Sequence, residues 1–502
     1  MDETKKKSRK KGWLITLLVL LVLGTGAGIY FYTNYLRKST MDPMEMVPGD
    51  AALMVEINNY DSFLESAGHC RAFLNDVVSL GALDGMQFFL SQFDQQTLSG
   101  EPMALSVHPT DNGSALLLSL RAKTSEFDRL LKKLELNRNN FHAHSGYEIY
   151  EIGTHHRTFY FCYHDGLFTV AENEAVLKSA LDCVSSRKTL CRAEAFQPLR
   201  EMMDKNPKQN WLVVAQSAFW ESQQGNLSPE ASPVLEALRN VTDWSAYQIT
   251  VNAGEIVLSG YSVLKEGAFL NRWNGQHPAA ITTPEEILPA SIDDYAEYNI
   301  SDIDAFCRNA QLPDNVSTAL KALKSPLFHT FTLSDTLTYR YFAVRVPTCD
   351  SAFLQSLLPD NHTIDSVKLG THRFGRGNFA PALCPHATAV ATNTFLISDD
   401  LNYLVFSDSI TNLQKYRAAL SKNKSLAENQ IYVNLKNDGR WTSRAGYQLF
   451  FQNREDSIDK YLNSKLISRN TRLRDIRYIL YNAQEPVGQL VPNNIYIRFS
   501  TK

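Results

Sequence analysis

The sequence predicts an N-terminal transmembrane helix followed by two duplicated α+β domains, each a mostly antiparallel sheet covered by helices on one face. Three observations predict it. One is a charge-free apolar run from Trp13 to Leu36, another is a set of residues that recur about 241 positions apart, and the third is alternation between strand-like and helix-like periodicity.

The apolar run comes first. At ~1.5 Å per residue its 24 residues extend roughly 36 Å, enough to cross a hydrocarbon core of about 30 Å with some tilt. Residues 1–12 form a basic tail containing Lys5, Lys6, Lys7, Arg9, Lys10 and Lys11, whereas only Arg37 and Lys38 closely follow the run. The positive-inside rule then places the N-terminus in the cytoplasm and the body outside it, as a single-pass signal-anchored membrane protein. Gly24 to Gly28 offers small residues for a signal peptidase, which is the competing reading. Gly24 and Gly28 also form a GxxxG pair through which two such helices could dimerise.

Residues 37–46 read as a connector, and the body is written twice. Val47-Pro48 leads into a strand, and Leu288-Pro289 leads into another. Pro48/Pro289, Glu56/Glu297, Asn58/Asn299 and Asp61/Asp302 share one offset. Gln248/Gln489, Asn252/Asn493, Ile256/Ile497 and Ser259/Ser500 repeat it, as two strands around Asn252-Ala253-Gly254 or Pro492-Asn493-Asn494. The expected units are 47–265 and 288–502, joined by a proline-bearing linker over 266–287. Within a unit, Leu53–Ile57, Ala115–Leu120, Thr158–Tyr163, Trp211–Ala215 and Glu255–Ser259 read as strands, and Ser125–Leu136 and Asn173–Cys183 as helices.

With the N-terminal run, the Val/Leu-Pro approach at Pro48 and a late strand over Gly166–Asn173, the layout resembles the Bacteroidetes-type envelope family known as domain of unknown function 3352. That resemblance implies an anchor in the inner membrane with the body in the periplasm, and it supplies no catalytic residues.

Composition excludes one class of partner. Residues 1–38 carry eight basic and two acidic groups, while the rest carries 42 basic and 51 acidic, so the body lacks the charge for nucleic acid. The chemistry-bearing residues are sparse. His142 and His144 share one side of a strand and, with His155 and His156, form the candidate metal group; a solvated strand face is the plainer reading. Seven cysteines lie beyond the apolar run, and Cys183 with Cys191 could close a small loop. Gly370–Gly377 reads as a glycine-rich basic turn and Lys465–Arg477 as a solvated basic face. The resemblance to the Bacteroidetes-type family implies a further role for five Asp-Ser/Thr-aliphatic triplets, from Asp335 to Asp456, as glycan acceptors.

Nucleophile elbows, metalloprotease helices and phosphate loops are missing from the sequence, so no catalytic residue and no cofactor is expected. The expectation is a non-enzymatic binding or scaffold protein of the envelope, with the membrane and other envelope proteins as partners. A tethered hydrolase built from scattered residues and a lipid or glycan binding module are the alternatives.

Overall fold

The structure is a computed structural model that describes residues 41–500 with breaks, the longest at 66–85, 354–366 and 378–393. Among the described residues, twenty strands hydrogen-bond into one antiparallel sheet. In the first half of the chain these are β1 (Leu53–Ile57), β2 (Met103–Thr110), β3 (Gly113–Arg121), β4 (Phe141–His144), β5 (Tyr147–Gly153), β6 (Thr158–His164), β7 (Leu167–Ala171), β8 (Trp211–Ala215), β9 (Trp244–Asn252) and β10 (Glu255–Val263). The second half supplies β11 (Ile292–Asn299), β12 (Leu327–Leu333), β13 (Arg340–Arg345), β14 (Val367–Leu369), β15 (His372–Gly377), β16 (Thr394–Ser398), β17 (Tyr403–Ser407), β18 (Tyr447–Gln452), β19 (Ile476–Ala483) and β20 (Leu490–Phe499).

Across the sheet the first ten strands run β4-β5-β6-β7-β3-β2-β1-β8-β9-β10, and the next ten run β20-β19-β18-β11-β12-β13-β17-β16-β15-β14. The second series is the first in reverse, strand for strand. The halves meet where β10 pairs with β20, its own counterpart, from Glu255↔Arg498 to Val263↔Leu490. Asn493 Nδ2 donates to Ser262 Oγ across this seam at 2.9 Å, and Arg440 of the second half pairs with the buried Glu255 of β10. Gly260 sits at the seam because a Cβ there would run into the carbonyl of Ala246 on β9.

This corrects the expected fold class in three respects. First, the halves are one continuous sheet and not two separate sheets, because β10 and β20 satisfy each other's backbone groups where each would otherwise be an exposed edge.

Second, helices cover both faces. In β1, Leu53 and Ile57 pack with Phe127, Leu130 and Leu131 of helix Thr124–Lys133, while Met54 packs on the other side with Leu199 and Met203 of helix Gln197–Asp204. The second half repeats this, with Phe306 and Leu320 on one face and Leu413, Tyr432 and Leu435 on the other. Strands buried on both sides need continuous apolar runs such as Leu116-Leu117-Leu118 and not alternation.

Third, no helix among the described residues is long and apolar enough to cross a membrane. Residues 13–36, with Gly24 and Gly28, lie outside the described residues, so the expected transmembrane, single-pass, signal-anchor segment has no counterpart in the described fold.

Both expected helices form. Helix Glu174–Ser186 is capped by Asn173, whose side chain accepts from Ala175 N at 2.8 Å. Helix Thr124–Lys133 starts one residue early, with the Glu126 carboxylate accepting from Lys123 N at 2.7 Å. The Gly370–Gly377 turn is mostly strand: His372–Gly377 is β15, paired to β14 and β16. Pro492 to Asn494 are likewise inside β20, and the turn matching Asn252–Gly254 falls at 484–489. That turn is longer than its twin, so one linear offset does not run through both hairpins.

Candidate functional site

Each half begins with the same device. A 3₁₀ turn, Pro43–Met46 or Pro284–Glu286, ends just before a proline that makes an isolated bridge, Pro48↔Thr189 or Pro289↔Ser425. The chain then enters the central strand, β1 or β11. Each of these strands carries one buried glutamate facing the same side, Glu56 at 7 % exposure and Glu297 at 1 %. Eleven residues beyond the bridged Thr189 or Ser425 stands a base, Arg200 or Lys436, on helix Gln197–Asp204 or Gln430–Asn437. Burying a carboxylate is costly unless hydrogen bonds or an opposite charge answer it, and the two halves answer differently.

In the first half Glu56 is flanked on the sheet by Ala104 and Trp211. Ala104 has no polar side-chain group to offer, and the partner that reaches Glu56 is Arg200. The guanidinium lies 3.3 Å from Glu56, 2.7 Å from Asp42 and 2.8 Å from Asp204, and its Nη1 is 2.6 Å from Met44 Sδ. Asp42, Glu56, Arg200 and Asp204 line an open cleft of about 300 Å³ with Asn58, Glu101 and Arg121, the last two 3.5 Å apart. Burial raises the Glu56 carboxyl to about 7; Arg200 draws it down and Asp42 pushes it up, and burial prevails. Burial pulls the Arg200 guanidinium down, but Glu56 and Asp42 more than offset it and hold it above its ordinary value.

The second half seals the same position. Glu297 faces His329 on β12 and Gln448 on β18. Tyr295 Oη donates to Glu297 at 2.7 Å and lies 2.8 Å from His329 Nδ1, and Gln448 Nε2 donates to Glu297 at 3.2 Å. Burial pushes His329 down to about 3, so the ring is neutral. Since Tyr295 spends its proton on Glu297, the tautomer that fits is Nδ1–H donating to Tyr295, which leaves His329 Nε2 as a buried acceptor without a partner. Lys436 instead binds Glu285 of the 3₁₀ turn at 2.6 Å, together with the Tyr432 hydroxyl at 2.6 Å.

Of the four candidate metal histidines, the two described ones each meet a carboxylate of their own. On β4, His142 Nε2 lies 2.9 Å from Glu174 and His144 Nε2 3.0 Å from Asp182, both carboxylates on helix Glu174–Ser186. They tie a mostly exposed strand to a helix. His155 and His156 lie outside the described residues, and among the described residues no three His, Cys, Asp or Glu side chains are grouped to hold a metal.

Cys183 and Cys191 are both free and do not close the small loop their spacing allows, and Cys162 and Cys307 are buried free thiols. On the basic stretch Arg474 pairs with Asp459 at 2.7 Å. The five acceptor triplets lie wholly or partly outside the described residues.

Sequence reading noticed Glu56/Glu297 but missed Asp42 and Arg200. The available signal was Pro43/Pro284, which repeats five residues before Pro48/Pro289 and places the connector and the linker inside the packed unit.

No protein-family model matches the chain, and no curated protein matches it. Among solved structures, crystal form I of TP0453 aligns at 9 % identity over 64 % of this chain and 98 % of that one, with a TM-score of 0.24. Crystal form III aligns at 9 % identity over 49 % and 84 %, with a TM-score of 0.26. Likeness at this level carries no argument about fold or function.

Proposed function

We propose that the chain is a non-enzymatic binding or scaffold protein of the cell envelope, whose paired halves present one rigid sheet to other envelope components. The observation that carries this reading is the seam between β10 and β20: the halves are fused through equivalent strands into a single framework, and each histidine on β4 is committed to its own carboxylate. A framework of this kind holds surface loops at fixed separations.

Val487, in the turn beside the seam, is 69 % exposed, and Phe141 on β4 is 39 % exposed. A photo-crosslinker placed at either position in intact cells is expected to trap discrete protein adducts. Finding no adduct at either site, together with turnover of an ester or amide substrate by the purified chain, overturns the proposal.

A further inference from the structure

We infer that residues 41–47 form a strap latched onto the first half of the sheet by the Asp42–Arg200 pair, and that the Glu56 carboxylate, competing for the same guanidinium, loosens the latch.

The strap is anchored from three elements. Arg121 Nε of β3 donates to the Met41 carbonyl at 2.9 Å, Arg192 lies 3.2 Å from Glu45, and Arg200 lies 2.7 Å from Asp42. Thr189 Oγ1 donates to Glu45 at 3.0 Å, and Leu190 N donates to the Val47 carbonyl at 2.9 Å. Beneath these contacts Met44 packs with Met54, Leu199 and Trp211, and Met46 with Leu117 and Leu177.

The competition is geometric. Arg200 has one guanidinium for three carboxylates, Asp42 from the strap, Glu56 from β1 and Asp204 from its own helix. The other charged or titratable groups around it are Glu45 on the strap, Glu101 and Arg121 across the cleft, and Cys191 and Arg192 on the turn Leu190–Arg192. Neutral Glu56 leaves the guanidinium to Asp42 and Asp204. Ionised Glu56 both draws Arg200 toward itself and repels Asp42. The twin separates the two roles: Lys436 serves the turn through Glu285, while Glu297 takes hydrogen bonds from Tyr295 and Gln448. The competition is therefore a property of the first half, where Ala104 replaces the histidine of the second. Burial raises Glu56 to about 7, so the latch is tight below neutrality and loosens above it.

Hydrogen exchange of the full-length chain tests this at the Glu45, Val47 and Leu190 amides, whose acceptors are Asp42, Met44 and Val47. After correction for intrinsic base catalysis, their protection is expected to fall about tenfold between pH 6 and pH 8, while amides of β6 stay protected. In Glu56→Gln the step disappears and protection at pH 8 matches that at pH 6. In Asp42→Asn the strap is less protected at both values. An identical pH step in wild type and Glu56→Gln, or equal loss at β6 and the strap, overturns the inference.

Discussion

Glu56 imposes a pH-dependent penalty on folding that a single isosteric change removes. Its carboxyl is raised from 4.5 to about 7, chiefly by burial. At about 1.4 kcal/mol per pKa unit, that shift corresponds to ~3 kcal/mol between the protonated and ionised forms. The sign follows from proton uptake. A carboxyl with a raised folded-state pKa contributes its full stability below the unfolded value and loses it as pH climbs through the folded one. Glu56→Gln keeps the neutral shape and cannot ionise. The variant and the wild type should therefore be equally stable near pH 4, diverge between pH 4.5 and 7, and differ by ~3 kcal/mol at pH 8 with the variant the more stable. Urea unfolding at several pH values, followed by the fluorescence of Trp211 and its fellow tryptophans, measures the gap. Trp211 lies directly opposite Glu56 on β8, so the probe is local as well as global. A gap that stays constant with pH, or one that favours the wild type at pH 8, refutes the reasoning.

Three further outcomes are expected. Gly260→Ala forces a methyl against the Ala246 carbonyl at the seam and should cost about 1–3 kcal/mol in urea unfolding. Tyr295→Phe removes the donor to Glu297 and the neighbour of His329 Nδ1 inside a sealed site, so a loss of roughly 1–3 kcal/mol is expected by the same measurement, with the Glu56 cleft undisturbed. The Cys162 thiol, buried and pushed up to about 12, should resist alkylation at pH 8 in the native chain and react once the chain is unfolded, as mass spectrometry of the modified peptides will show.

Local elements were legible because they depend on nearby residues. Thr158–His164 and Trp211–Ala215 are strands rich in β-branched and aromatic side chains, and Asn173 caps its helix from an adjacent position. The recurrence of Pro48 and Pro289, with Glu56 and Glu297 eight residues on, was also legible, since both prolines make equivalent bridges and both glutamates face the same side. The candidate site was legible only in part. Glu56 could be noticed in sequence, but its partner Arg200 is 144 positions away, and whether that carboxylate meets an arginine or a tyrosine depends on Ala104 or His329 on the neighbouring strand.

The sequence by itself determined the strands and helices, the paired glutamates and the absence of a recognisable catalytic motif, because propensity, capping and hydrophobic period act over a few residues. Only the tertiary structure decided that the halves fuse into one sheet, that helices cover both of its faces, and that Asp42 and Glu56 share one guanidinium. Apolar runs do not say which face a helix will cover, and a strand edge does not reveal its partner. Those choices are made by backbone groups that need hydrogen bonds and by charges that need company once water is excluded.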